Sequence, residues 1–149
     1  MIMRTLLKNT LRNVTLLLGL SMAVLVPVAM AASNQPLKTL RAREAEERAL
    51  DREARFTGKV CGTSIRTRID WSSASDWPAS VSIAKSCDGA LSALEAICRS
   101  DRSRGSRVTS FVCSGDGGGP SLSGGTLYYG ASPGGNGFGE TKGYLEGQL

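Results

Sequence analysis

Apolar and polar residues follow a helical pattern in the segment before residue 57. Leu37 to Phe56 is rich in Leu, Ala, Glu and Arg and contains neither Gly nor Pro. Its apolar stripe is thin, consisting of Ala42, Ala45, Ala49 and Phe56. A helix with so little apolar surface is expected to stay solvated. We therefore interpret residues 32–56 as a flexible lead-in and an exposed, charged helical spacer, with a partner-binding helix as the alternative.

From Thr57 the period changes to two. Alternate positions are apolar or small, namely Cys61, Thr63, Ile65, Thr67, Ile69 and Trp71. The positions between them include Arg66 and Arg68, so the pattern predicts a half-buried strand with Cys61 pointing into the core. Ser72 to Ala79 is predicted to be a turn or loop. The pattern leaves open whether residues 80–86 form a strand or a helical turn.

The next segment returns to helical spacing. Leu91, Leu94, Ile97 and Cys98 share one face, and Asp88 is the predicted N-cap of a helix that ends near Asp101. Strands are predicted at Val108 to Cys113 and at Leu122 to Tyr129. Dense glycine from Gly115 to Gly143 indicates turns and bulges, and Tyr144 to Leu149 is predicted to be a short terminal helix. The predicted fold is an α+β domain over residues 57–149, a βαββ unit with one core helix on a short sheet.

The four cysteines, Cys61, Cys87, Cys98 and Cys113, allow three pairings. If residues 88–98 are helical, Cys87 and Cys98 are roughly 16 Å apart along the axis, too far for a disulfide. If the strands run antiparallel to this helix, chain lengths place Cys113 beside Cys87 and Cys61 beside Cys98. The predicted disulfides are therefore Cys61–Cys98 and Cys87–Cys113. A zinc site is disfavoured because the chain has no histidine and no CxxC motif.

The N-terminal segment has the order of a secretion signal. Three basic residues precede an almost wholly apolar run over residues 14–26, and Ala29-Met30-Ala31 follows Pro27. This order predicts a signal peptide over residues 1–31, with a retained membrane anchor as the alternative. Cleavage after Ala31 leaves a chain of 118 residues, 149 minus 31, with 15 basic and 13 acidic residues. A charge of only +2 argues against nucleic acid as a partner, and the expected location is the periplasm or the exterior of the cell.

Two glycine-rich segments invite comparison with known motifs. Cys113 to Pro120 resembles the Gly-Asp-Ser-Gly-Gly-Pro segment around the nucleophile of trypsin-like serine proteases, with Gly117 where the serine stands. A protease of that family also needs a histidine base, which this chain lacks. Gly134 to Gly139 is similar to nucleotide-binding glycine motifs but lacks the Gly-Lys-Ser/Thr ending of a phosphate loop. Both segments are interpreted as loops.

Two groups of residues are candidates for binding. One is a cluster of cations around the end of the core helix, a candidate anion site formed by Arg99, Arg102, Arg104 and Arg107. The other is a set of aromatic residues beside the glycine-rich segments, and the candidates for partner binding are Trp77, Tyr128 and Tyr129. Tyr128 and Tyr129 must face opposite sides of a strand, so one of them is expected to be exposed.

The leading hypothesis for function is a non-catalytic exported module that binds a protein or an envelope component. On this hypothesis the protein has no catalytic residues, no metal site and no cofactor. It is not expected to insert stably into a membrane after the signal peptide is cleaved. One alternative is a hydrolase that uses carboxylates, for which the mid-chain candidates are Asp70, Asp76, Asp88 and Asp116. A further alternative is a purely structural surface protein.

Overall fold

A computed structural model describes residues 37–149. The elements in chain order are α1 Leu37–Cys61, β1 Arg66–Asp70, α2 Ile83–Ser100, α3 Arg102–Gly105, β2 Ser110–Ser114, β3 Gly119–Ser123, β4 Thr126–Gly130 and α4 Phe138–Gln148. The predicted signal peptide and the start of the lead-in lie outside the described residues. No helix within residues 37–149 is long and apolar enough to cross a membrane.

The four strands form one sheet in the order β1-β2-β4-β3. β2 is parallel to both β1 and β4, whereas β3 is antiparallel to β4. Because side chains alternate across a strand, Ile69, Phe111 and Leu127 share one face, and they are buried under the helices. The opposite face carries exposed residues such as Arg68 and Tyr128. This architecture confirms the predicted α+β class, with a core helix packed on one sheet.

The core helix α2 begins earlier than its sequence pattern predicts. Leu91 and Leu94 are buried against the sheet, as the helical spacing predicts. However, the N-cap is Ser82, whose hydroxyl accepts a hydrogen bond from the Lys85 N–H at 3.1 Å. The prediction of Asp88 as the N-cap is wrong, because this earlier cap leaves Asp88 in the second turn. The helix thus includes most of the segment whose state the pattern left open.

Helix α1 also runs longer than predicted, to Cys61 rather than Phe56. The helix ends at Gly62, whose φ of 71° is left-handed, and the Thr63 N–H donates to the Gly58 carbonyl at 2.9 Å. These two features are those of a Schellman motif. The predicted strand over residues 57–65 is therefore wrong, because a glycine cap places the start of β1 at Arg66.

The buried face of α1 is one that the sequence pattern did not indicate. The side of α1 that packs on α2 consists of Leu50, Ala54, Thr57, Gly58 and Cys61. Phe56, assigned to the apolar stripe, is instead 51% exposed. Mostly small residues let the two helices approach closely, and the Thr57 hydroxyl donates to Glu95 Oε1 at 3.0 Å. The first half of α1 is largely exposed, as predicted.

Both disulfides hold α2. They join Cys61 to Cys98 and Cys87 to Cys113, which is the pairing that the sequence predicts. The origin of one bridge differs, because Cys61 lies at the end of α1 and not in a strand. One disulfide therefore joins two helices and the other joins a helix to the central part of the sheet.

The segment predicted as a single third strand is part of a hairpin of two strands. β3 and β4 are joined by Gly124 and Gly125, whose φ angles are 54° and 75°. Two consecutive residues with positive φ form the tight turn that suits a two-residue hairpin. The hairpin adds a fourth strand to the three predicted from the sequence.

Helix α4 occupies part of the segment that was expected to lack helix. It begins at Phe138, six residues before the predicted start at Tyr144. Thr141 and Leu145 are spaced by one turn and are fully buried, and α4 packs against α2. The helical spacing of Thr141 and Leu145 was not evident in a segment so rich in glycine. Gly139 and the later glycines of the helix lie on its solvent-exposed side.

Candidate functional site

Two tryptophan side chains line a groove of about 510 Å³ between the first half of α1 and the segment after β1. Its lining is largely apolar and includes Ala42, Trp71, Ala74, Trp77, Pro78, Ala79, Val81 and Ile83. Polar contributions come from Lys38, Thr39, Arg43, Glu46 and Ser75. We call this feature the tryptophan groove. Concave apolar surfaces with a few polar groups are the usual form of binding sites.

Internal hydrogen bonds fix both indole rings of the tryptophan groove. Trp71 donates its ring N–H to Glu47 Oε1 at 2.9 Å, and Trp77 donates to the Gly115 carbonyl at 3.1 Å. The guanidinium carbon of Arg43 lies 5.1 Å from the centre of the Trp71 ring, a cation–π contact. Because both N–H donors are satisfied, each ring offers a partner its apolar surface without leaving a polar group unpaired.

The charged side chains that line the tryptophan groove are Lys38, Arg43 and Glu46. Glu46 is committed to the fold, since its Oε2 accepts from the Ser82 hydroxyl at 2.6 Å and from the Ala84 N–H at 2.9 Å. Within residues 37–149, neither Lys38 nor Arg43 forms an ion pair. Glu46 keeps its negative charge while it accepts these bonds, so the lining combines aromatic surface with two cations and one carboxylate. The groove therefore suits a ligand that presents apolar surface.

A second recess of about 310 Å³ lies on the open face of the sheet. Its floor is formed mainly by glycine, serine and Val112, and its walls include Arg68, Tyr128, Asp70 and Asp116. The structure thus brings together two of the four candidate carboxylates of a hydrolase. Asp76 is in the loop after β1 and Asp88 is in α2, and neither lines this recess.

Both carboxylates of this recess are already hydrogen-bonded. Asp70 accepts from the Ser72 hydroxyl at 2.6 Å and from the Ser72 N–H at 3.1 Å, and these bonds lower the pKa of its carboxyl group. Asp116 Oδ1 accepts from the Gly118 N–H at 3.0 Å. A lowered pKa keeps Asp70 ionised at neutral pH, which opposes a role as a general acid.

The three aromatic residues proposed to bind a partner lie in three different places. Trp77 lines the tryptophan groove, and Tyr128 is 40% exposed on the open face of the sheet. Tyr129 faces the opposite side and is 3% exposed, in agreement with the expectation that only one tyrosine is exposed. The structure does not join them into one surface.

Tyr129 borders a cavity of about 350 Å³ formed by the glycine-rich segments before α4. Burial of the ring raises the pKa of Tyr129 to about 12, with a further contribution from the carboxylate of Glu140. A Cβ at Gly137 would lie 2.3 Å from the hydroxyl of Tyr129. Glycine at this position is therefore needed for the tyrosine ring to fit beneath the loop.

The four arginines of the candidate anion site mainly bind elements of the fold. Arg102 donates to the Val60 carbonyl at 3.1 Å, and Arg104 donates to the Glu146 carbonyl at 2.9 Å. Arg107 donates to the main-chain oxygen of Leu149, and Arg99 pairs with Glu95 at 3.7 Å. Cations stabilise the C-terminal ends of helices, and here three arginines stabilise the ends of α1 and α4. Anion binding at this cluster stays a prediction.

Sequence reasoning missed the part that α1 plays in the site. Trp71 was assigned to the inward side of a strand, and no feature of Arg43 or Glu46 distinguished them from the other charges of an exposed helix. Arg43 and Glu47 are four residues apart and therefore share one face of α1, but nothing in the sequence connects that face to Trp71. Only the tertiary fold shows that Trp71 lies against this helix.

Among residues 37–149, no group of three or more His, Cys, Asp or Glu side chains is arranged to hold a metal ion. Comparison with protein-family models, with curated proteins and with solved structures gave no significant match. The two disulfides of this chain are consistent with an exported protein.

Proposed function

We propose that this protein is an exported, non-catalytic module that binds a protein or an envelope component through the tryptophan groove. The observation that carries the proposal is the pair of indole rings, Trp71 and Trp77, held by internal hydrogen bonds against an open apolar groove. Tryptophan is enriched among the residues that dominate binding energy at interfaces. Rings that are already fixed lose little entropy when a partner binds.

The two disulfides support this proposal in a second way. Cys87–Cys113 joins the first turns of α2 to β2, close in sequence to Val81, which lines the groove, and to Gly115, which accepts the hydrogen bond of Trp77. A rigid scaffold that presents a loop-lined groove is a common arrangement for binding modules. The tryptophan groove is accordingly expected to keep its shape in the absence of a partner.

A photoreactive amino acid placed in the groove tests the proposal. Ala79 lines the tryptophan groove and is exposed, whereas Ser123 is exposed at the tip of the β3–β4 hairpin and serves as the matched control. Irradiation of the exported protein in its native compartment is expected to give a discrete crosslinked product from position 79 only. Identical products from both positions, or none from position 79, would contradict the proposal.

A tryptophan substitution then ties the crosslink to the groove. Trp77→Ala is expected to weaken binding of the captured partner by at least about 30-fold, the effect of removing a dominant interface residue. Trp77→Phe retains an aromatic ring and is expected to weaken binding of the partner less than Trp77→Ala does. Thermal unfolding of both variants checks that they remain folded, because Trp77 also bonds to Gly115.

The second candidate function is a hydrolase, and it is favoured by the joint presence of Asp70 and Asp116 at the recess on the open face. Asp70→Asn and Asp116→Asn test it, because each preserves shape while removing a charge. The wild-type protein is expected to show no hydrolase activity against a broad substrate panel. Activity that disappears in both variants would favour the hydrolase over the binding module.

A further inference from the structure

The outer edge of β1 presents main-chain groups that have no partner within residues 37–149. The Arg66 N–H donates to the Thr109 carbonyl at 3.1 Å, and in a parallel ladder every second residue of a strand bonds to the same neighbour. Thr67 and Ile69 therefore direct their N–H and C=O groups away from β2. No main-chain or side-chain hydrogen bond to these groups is present among the described residues.

The opposite edge of the sheet, β3, is closed. In the hairpin, Ser123 and Thr126 form a hydrogen-bonded pair across a two-residue turn. The main-chain groups of Pro120 and Leu122 therefore point away from β4, toward the outer edge of the sheet. Pro120 has no N–H to donate, and the Leu122 N–H already donates to the Tyr144 hydroxyl at 2.9 Å. The two edges therefore differ, and β1 is the edge that is able to accept another strand.

A recess of about 200 Å³ borders the outer edge of β1. It is lined by Glu47 and Asp51 of α1 together with Thr67, Arg68 and Ile69. Both carboxylates accept hydrogen bonds from neutral donors, Glu47 from Trp71 and Asp51 from the Thr67 hydroxyl, and both keep their negative charge. The recess gives an added chain access to the main chain of β1.

The same edge leads to the tryptophan groove. Trp71 directly follows β1 in the chain, and its hydrogen bond to Glu47 places the groove next to the recess along α1. A chain lying along β1 would therefore bring one of its side chains to the indole rings. Glu47 lines the recess and Trp71 lines the groove, so the two features are adjacent along α1, and we call the route from one to the other the path.

The charges beside this path define the chemistry of an added chain. Arg66 and Arg68 are exposed on the open face of β1, and neither forms an ion pair within residues 37–149. The carboxylate of Asp70 is held by Ser72. At the groove, Lys38 and Arg43 lie with Glu46, and the recess carries Glu47 and Asp51. Acidic side chains on the partner therefore complement Arg66 and Arg68 on the open face of the sheet, whereas the side chains that enter the recess or the groove are expected not to be acidic.

We infer that β1 accepts an added strand from an extended segment of a partner protein, that this segment carries acidic side chains on the open face beside Arg66 and Arg68, and that one of its apolar side chains enters the tryptophan groove. Strand addition obtains affinity from main-chain hydrogen bonds and specificity from pockets for alternate side chains. The inference rests on the proposed function of the groove, and it specifies the class of partner and the way in which it binds.

The first test uses a library of random short peptides, selected against the intact exported protein. The selected peptides are expected to share acidic residues and one apolar or aromatic position. In the free protein, the amides of Thr67 and Ile69 are expected to exchange rapidly with deuterium, since they have no partner. Binding of a selected peptide is expected to slow both amides, and N-methylation of alternate peptide positions is expected to weaken binding by about fivefold for each hydrogen bond removed.

Two substitutions of Thr67 distinguish the contribution of its main chain to peptide binding from that of its side chain. Thr67→Pro removes the outward N–H while leaving the hydrogen bonds of Arg66 to β2, whereas Thr67→Val keeps the N–H and removes only the hydroxyl. Peptide affinity is expected to fall about fivefold or more in the proline variant and to change little in the valine variant. If the proline variant fails to fold, amide exchange of the wild-type protein and N-methylation of the peptide still test whether the outward main-chain groups of β1 bind the peptide.

A charge reversal tests the acidic character of the partner. Arg68→Glu is expected to weaken the selected peptides by about fivefold, and Arg52→Glu, on an exposed position of α1 outside the path, serves as the control. An equal loss of peptide affinity in the two variants would contradict the inference that acidic side chains of the partner lie beside Arg68.

Several results would overturn the strand addition. Amides of Thr67 and Ile69 that are slow in the free protein would mean that the edge is already covered, and a dimer in light scattering would mean that a second copy covers it. Peptide binding that depends on Trp77 but leaves both amides unchanged would reject strand addition while retaining the groove as a binding site. Selected peptides with basic residues, or selection of none, would reject an acidic protein segment, whereas crosslinking at Ala79 to a glycan would still support the proposed function.

Discussion

Removal of the disulfide between α2 and β2 is expected to cost a large share of the stability of this protein. The perturbation is the double variant Cys87→Ala with Cys113→Ala. The two residues are 26 positions apart in the chain and are fully buried, so alanine avoids the unpaired hydroxyl that serine would introduce. Loop-closure entropy for a segment of this length gives about 3.5 kcal/mol, and the loss of buried sulfur adds about 1 kcal/mol.

Urea denaturation followed by circular dichroism measures this cost. With a slope of about 2 kcal/mol per molar urea, the midpoint is expected to fall by about 2 M. Wild-type protein in reducing buffer loses both disulfides, so its midpoint should lie below that of the variant, which keeps Cys61–Cys98. A variant midpoint within about 0.3 M of the oxidised wild type, at an unchanged slope, would refute the reasoning, because the disulfide would then restrict the unfolded chain little.

Three further predictions concern single positions. A Cβ at Gly105 would lie 2.1 Å from the Cys98 sulfur, so Gly105→Ala is expected to lower the free energy of unfolding in urea by about 1–3 kcal/mol. The control Gly143→Ala, in open space on α4, should be neutral or stabilising by up to about 1 kcal/mol, and equal effects of the two variants would contradict the close contact. Glu46→Ala removes two hydrogen bonds at the start of α2 and should cost about 1–2 kcal/mol in thermal unfolding, and an unchanged midpoint would contradict the role of Glu46 as a cap. The pKa of Tyr129 is raised from 10.0 to about 12, so the unfolded chain loses this proton first and stability should fall as pH rises from 10 to 12; Tyr129→Phe should remove that part of the alkaline loss in a pH series of urea midpoints, and an unaltered pH dependence would contradict it.

The sequence predicts the central helix, the α+β class and the disulfide pairing because these depend on long or strongly periodic signals. Leu91 and Leu94 repeat at helical spacing, and the distance along that helix excludes a bridge between Cys87 and Cys98. The ends of elements were predicted less well. Gly62 ends α1 through its left-handed conformation, which is not evident when alternating residues follow it.

The candidate site was predicted only in part, because it is assembled by tertiary contacts. Trp77 was recognised as a candidate for partner binding, but Trp71 was interpreted as a core residue of a strand. The groove exists because α1 lies beside β1. The position of α1 depends on its packing against α2 through Leu50 and the small residues Ala54 and Gly58, and a stripe with so few large apolar residues gave only a weak signal in the sequence.

The closed edge at β3 also limits how many chains an assembly contains. If one edge accepted strands while the other were available to donate pairing, copies of the protein would join head to tail, and such contacts extend into filaments when the rotation between copies does not close. Pro120 and the Tyr144 hydroxyl block pairing at β3, so an extended segment added at β1 finds no second edge on which polymerisation could continue. With the proposed strand addition at β1, the hairpin therefore sets a stoichiometry of one added strand for each domain, which opposes the growth of fibres.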